Sequence, residues 1–95
     1  MYGVVRARQF ERAYRKLKKS GILKPSLKKE IDEIIIALAA RKPLQAYYED
    51  HQLIGEYQAY RECHIRGDLL LVYEVRDEKL VLVLVNIGSH SQLFG

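Results

Sequence analysis

Three histidines fall in the second half of this 95-residue sequence, each in polar, turn-like or half-buried surroundings: Asp-His51-Gln, Cys-His64-Ile and Ser-His90-Ser. Imidazole, with an unperturbed pKa of about 6.5, gives and takes protons near neutrality. Glu62 lies just before His64 and Asp68 shortly after it. A fold that gathers the three rings with these carboxylates holds an acid–base site. The same groups are acceptable metal ligands, so a metal-dependent hydrolase is a rival reading. It is the weaker one, because no HExxH or Cys/His ligand spacing is present, and no metal or other cofactor is expected. Each residue also has an ordinary structural reading. Asp68 in Arg-Gly-Asp is a common turn residue, His90 is a plain tail position, and Leu93 and Phe94 read as a core plug. Convergence of the set, rather than any one spacing, carries the chemistry.

The elements that must position these groups follow from periodicity. Residues 2–6 read as a short strand. Phe10, Ala13, Tyr14 and Leu17 recur at helical spacing over 7–20, and Gly21 is a natural stop. Leu27, Ile31, Ile34, Ile35 and Leu38 mark a second helix, with Ser26 as its expected cap and an end near Arg41, before Pro43. The short link between the helices predicts an antiparallel hairpin. Three strand-like segments follow at about 59–65, 69–76 and 80–86, joined by Arg-Gly-Asp and Asp-Glu-Lys, both short enough for hairpin turns. The expected fold is α+β: a short N-terminal strand and a two-helix hairpin packed on a small antiparallel sheet, as one domain over 1–95. Strand alternation puts Ala59, Arg61, Cys63 and Ile65 on the helix-covered side. It puts Tyr60, Glu62 and His64 on the open side. Arg61 needs a partner or an edge there.

Composition bounds the function further. Hydrophobic residues make up 48% of the chain, enough for a core without staples, and the lone cysteine, Cys63, has no internal partner, which favours a reducing, cytoplasmic setting. The apolar run at 80–85 is far short of the ~20 residues that span a bilayer, so no membrane role is expected. The net charge of +4 hides an asymmetry: residues 1–29 carry ten Lys/Arg against Glu11 alone, whereas 30–95 carry six against eleven acids. A basic half of this kind attracts polyanions. By itself it would suffice for a non-catalytic RNA- or protein-binding module, the alternative to an enzyme.

The ordered segments His51-Gln-Leu-Ile-Gly55, Tyr60-Arg-Glu-Cys-His64-Ile65, Asp68-Leu-Leu-Leu-Val-Tyr73 and Gly88-Ser-His90-Ser-Gln-Leu-Phe94-Gly95 resemble the YafQ branch of the RelE superfamily of toxins. The likeness covers about residues 47–95; residues 1–46 agree in plan only. It implies a RelE-like fold and a ribosome-dependent mRNA endonuclease of a type II toxin–antitoxin system. It also implies a cognate antitoxin encoded beside the toxin, and ribosome and mRNA partners in the decoding site. By position it implies catalytic roles for His51, His64, Asp68 and His90, with Phe94 close to the substrate. Glu62 stands where the family is expected to have aspartate. The implied reaction is metal-independent attack of the RNA 2′-hydroxyl on the adjacent phosphate. Expected roles are His90 as the acid, His51 or His64 as the base, Asp68 as an imidazole partner and Arg61 as support for the phosphate. Arg12, Arg15, Lys16, Lys18 and Lys19 would hold RNA phosphates.

Overall fold

Five strands build one sheet in the order β1-β5-β4-β3-β2, and a computed structural model describes residues 1–95. The strands are β1 (Gly3–Arg6), β2 (His51–Gln52), β3 (Arg61–Arg66), β4 (Leu69–Arg76) and β5 (Val81–Gly88). The helices are α1 (Arg8–Lys19), α2 (Pro25–Ala39) and a five-residue α3 (His90–Phe94). The α+β class and the two N-terminal helices are as expected. The sheet is mixed rather than antiparallel: β1 pairs parallel to β5, while the other pairs are antiparallel.

Three local expectations are corrected. Lys24, not Ser26, is the N-cap of α2, and Pro25 takes the first helical position. There its missing N–H costs nothing, because that donor has no intrahelical partner anyway. The helix also stops at Ala39, two residues early. Residues 90–94 are not a tail but the helix α3.

One face of the sheet carries the main core. Phe10 from α1 and Leu27, Ile31, Ile34 and Leu38 from α2 pack against Cys63, Ile65, Leu71, Tyr73, Leu82, Leu84 and Ile87. Leu84 and Ile87 share that face only because the β4–β5 register shifts around Val85, where one extra residue bulges out of the ladder. Arg66 at the end of β3 bonds Glu30 of α2 through Nε at 3.0 Å, a bridge that fixes the helix against the sheet edge.

The opposite face is not open as alternation alone suggests. Glu62, Leu70 and Val72 there are all buried. The continuous run Leu-Leu-Leu-Val-Tyr at 69–73 is the pattern of a strand covered on both sides.

Candidate active site

Cross-strand register assembles the histidines. His51 of β2 stands directly across from Glu62 of β3, which stands across from Val72 and then Asn86. One row along, His64 pairs with Leu70 and Leu70 with Gly88. Paired residues share a sheet face, so all of these groups project to the side away from α1 and α2. Two residues after Gly88 the chain begins α3, and its first residue, His90, returns to the His64 row. The rings then run in sequence: His51 to His64 at 6.2 Å between centroids, and His64 to His90 at 6.0 Å. Phe94, one helical turn beyond His90, stands 6.1 Å from it.

Each imidazole has a carboxylate. Glu62 Oε1 lies 3.6 Å from His51 Nε2 and 3.4 Å from His64 Nε2, so one anion serves both rings. Glu62 is only 3% exposed. A carboxylate at that depth persists where cationic or donating partners offset its lost hydration. Glu49 Oε2 approaches His64 Nδ1 at 3.8 Å, and Asp68 Oδ1 approaches His90 Nδ1 at 3.5 Å. The tautomer of neutral His51 follows from one contact. Its Nδ1 lies 2.7 Å from the Glu49 carbonyl, which can only accept, so Nδ1 carries the proton and Nε2 is left as a base.

Local sequence explains the mounting of His90. Ser89 caps α3: its hydroxyl accepts from the Gln92 backbone N–H at 3.3 Å, and the Gln92 side chain accepts from the Ser89 N–H at 2.8 Å. This reciprocal pair is a capping box, and Ser-x-x-Gln is its sequence signature. Gly88 makes room for it, since a β-carbon there would meet Gln92 Oε1 at 2.7 Å. Gly67, at φ +57°, makes the turn that delivers Asp68.

Arg61 is on the other side. It lies across from Tyr73 and donates to the Tyr73 hydroxyl at 3.2 Å, with Asp50 Oδ1 3.4 Å from its Nε. The partner that alternation demanded is therefore Asp50 with Tyr73, and the guanidinium does not join the histidine row. The five expected RNA-holding cations, Arg12, Arg15, Lys16, Lys18 and Lys19, are exposed on α1. Arg12 and Lys16 line a groove of about 880 Å³ that runs between α1 and the β5–α3 end and reaches Asp68. Arg12 and Arg15 form a second, shallower cleft with Arg6 and Arg8. Lys18 and Lys19 line neither.

Tyr57 was not visible as a site residue in the sequence. It sits in a 3-10 turn at Gly55–Tyr57, and its ring meets Phe94 edge-on at 5.1 Å. The Gln52 side chain ties this loop down by donating to the carbonyls of Gln58 and Tyr60.

The sequence pattern of the family described as bacterial toxin of type II toxin-antitoxin system, YafQ, matches residues 2–95. This chain belongs to the YafQ family. YafQ of Haemophilus influenzae is 45% identical over 60 residues, 61% of this chain and 59% of that protein. The mRNA interferase toxin YafQ of Escherichia coli K12 is 40% identical over 53 residues, 56% of this chain and 55% of its own length. The matched stretch thus spans little more than half of these curated relatives. Solved structures align throughout. A metal-bound toxin from Helicobacter pylori has a TM-score of 0.87 at 36% identity, covering 99% of this chain and all of its own. E. coli YafQ in its DinJ–YafQ complex has a TM-score of 0.84 at 26% identity, covering both chains fully. The YafQ resemblance carried by residues 47–95 therefore extends to the whole chain, in sequence pattern and in fold. No helix is long and apolar enough to cross a membrane.

Proposed function

We propose that this YafQ-family toxin is an mRNA endonuclease that cleaves by proton transfer through its histidines. One observation carries the reading: three imidazoles stand in a row on one sheet face, each beside a carboxylate, with an aromatic ring at the end. His51 Nε2 takes the proton of the RNA 2′-hydroxyl, and the oxygen attacks the adjacent phosphorus. His90 gives a proton to the departing 5′-oxygen. The O2′–P bond forms as the P–O5′ bond breaks, leaving a 2′,3′-cyclic phosphate and a 5′-hydroxyl. His64, between the two, carries positive charge toward the phosphorane, and acid–base assistance of this kind contributes typically ~10²–10⁴-fold. Glu62 stabilises the imidazolium that His51 becomes, and Asp68 orients His90. Phe94 and Tyr57 offer ring faces or edges to a splayed base.

The alternative of a binding module needs only the basic α1 surface and leaves the ordered histidine row without use. Metal chemistry has a specific prompt, since the Helicobacter toxin is metal-bound. In this chain no group of three or more His, Cys, Asp or Glu side chains is arranged to hold a metal ion. The steps above use protein groups alone.

Partners follow from the relatives and from charge. The E. coli protein is found with DinJ, and an antitoxin encoded beside this toxin is the corresponding partner here, an acidic segment that folds onto the basic groove. The ribosome, in the cytoplasm, would present mRNA in its decoding site, with α1 cations on ribosomal RNA phosphates. Mapping mRNA 5′ ends in a translating extract tests the reading. Wild-type protein should create new ends, and His90→Ala should not. Translation arrest that survives both His64→Ala and His90→Ala would replace the nuclease with a binding role.

A further inference from the structure

We infer that Asp50, clamped by Tyr73 and Arg61 from the helix-covered side of the sheet, is the positioning residue that sets the orientation and tautomer of His51. The inference rests on the role given to His51 above and adds a group to it.

Tyr73 is 1% exposed in the middle of the main core, yet its hydroxyl points to the sheet edge and donates to Asp50 Oδ1. Arg61 Nε donates to the same hydroxyl from the facing strand and lies 3.4 Å from the same carboxylate oxygen. Both clamps sit on paired strands, so their backbones are held by the sheet and not by the segment they hold. The surroundings register the contact. Burial, then the hydrogen bond to Asp50, pushes the Tyr73 phenol up. Burial works to lower Arg61, but the Tyr73 bond and the Asp50 charge outweigh it.

Asp50 is flanked by the two groups that face the histidines. Its successor is His51, and its predecessor, Glu49, supplies both the carbonyl bonded to His51 Nδ1 and the carboxylate near His64. Glu49 adopts φ +48°, a left-handed conformation that non-glycine residues enter at a cost. That turn aims its carbonyl at the His51 ring. β2 is only two residues long and cannot impose this geometry by itself. The side chain of Asp50 crosses to the other face and pins the segment, so the strained turn and the ring it orients stay in register with Glu62.

The test uses ring-nitrogen NMR of the full-length protein alongside single-turnover cleavage, in Asp50→Ala, Asp50→Asn and Tyr73→Phe. In wild type His51 is expected as the Nδ1–H form when neutral. Asp50→Ala should give a mixture of His51 tautomers with His90 unchanged. The cleavage rate constant should drop on the order of 10- to 100-fold, with substrate affinity changed less than about twofold. Asp50→Asn, which still accepts from Tyr73, should recover most of the rate, and Tyr73→Phe should fall between. The NMR arm needs no cleavage, so a protein that proves not to be a nuclease leaves the positioning claim decidable. His51 held as the Nδ1–H form in folded Asp50→Ala would overturn it, as would an equal rate loss in Asp50→Asn and Asp50→Ala.

Discussion

Replacing Glu62 by glutamine removes one charge from beneath two imidazoles while keeping size and shape. In the proposed reaction His51 becomes a cation 3.6 Å from Glu62 Oε1. A unit pair near 4 Å is worth about 1 kcal/mol in water and about 4 kcal/mol at an effective dielectric near 20. The carboxylate is buried but the His51 side chain is 48% exposed, which places the pair between these limits. A loss of about 2 kcal/mol, or roughly 30-fold, is therefore expected in the cleavage rate constant, because the pair strengthens only as the proton moves. Substrate affinity should change little. Glu62→Asp keeps the charge and should retain more activity than Glu62→Gln despite losing a methylene. Single-turnover cleavage with saturating toxin measures this, and circular dichroism checks that the variants fold. Equal rates for Glu62→Gln and wild type would refute the role of Glu62 as the anion behind the base.

Three further outcomes follow from particular contacts. Gly88→Ala drives a β-carbon into Gln92 Oε1 and displaces the Gln92 side-chain half of the α3 capping box. Activity should fall several-fold with little change in the far-UV spectrum, and full activity would contradict the placement of His90 by that cap. Tyr57→Ala removes the edge contact on Phe94 and a stacking surface worth ~1–3 kcal/mol per base, so substrate affinity should weaken more than the rate. Burial pushes the Cys63 thiol up to about 12, so it stays protonated and should react with iodoacetamide only as fast as the protein unfolds. The unfolded thiol, near 9, ionises first, so this stabilisation is complete below that pH and drains away as pH rises toward 12. About 2 kcal/mol should be gone near pH 10.5, and urea titrations of Cys63→Ala should show a correspondingly flatter alkaline decline.

Much of the scaffold was legible because it rests on periodicity. The stripes through Phe10–Leu17 and Leu27–Leu38 do cover a sheet, and alternation did separate Cys63 and Ile65 from Glu62 and His64. What periodicity lacks is long-range pairing. Nothing local in Gly-Val-Val-Arg says that β1 lies parallel to β5, and a two-residue β2 is too short to leave a pattern. Some misses did have signals. Pro25 is a better helix-start marker than Ser26, Ser89-x-x-Gln92 announces α3, and the apolar run at 69–73 predicts that both faces are buried around Glu62. Arg61 was drawn toward the phosphate by the resemblance, whereas strand parity alone put it with the core. Tyr57 is one of seven tyrosines, and only its place beside Phe94 distinguishes it.

The most direct test of the histidine mechanism is the chemistry of the ends it leaves. Cleavage by 2′-hydroxyl attack makes fragments with 5′-hydroxyl termini, which enter a ligation-based library only after treatment with a polynucleotide kinase. Their upstream partners carry cyclic or 3′-phosphate. We predict toxin-dependent ends that need the kinase step and disappear in His90→Ala. Toxin-dependent ends already bearing 5′-phosphate would contradict the account, because hydrolysis by an activated water would then have replaced attack from within the RNA.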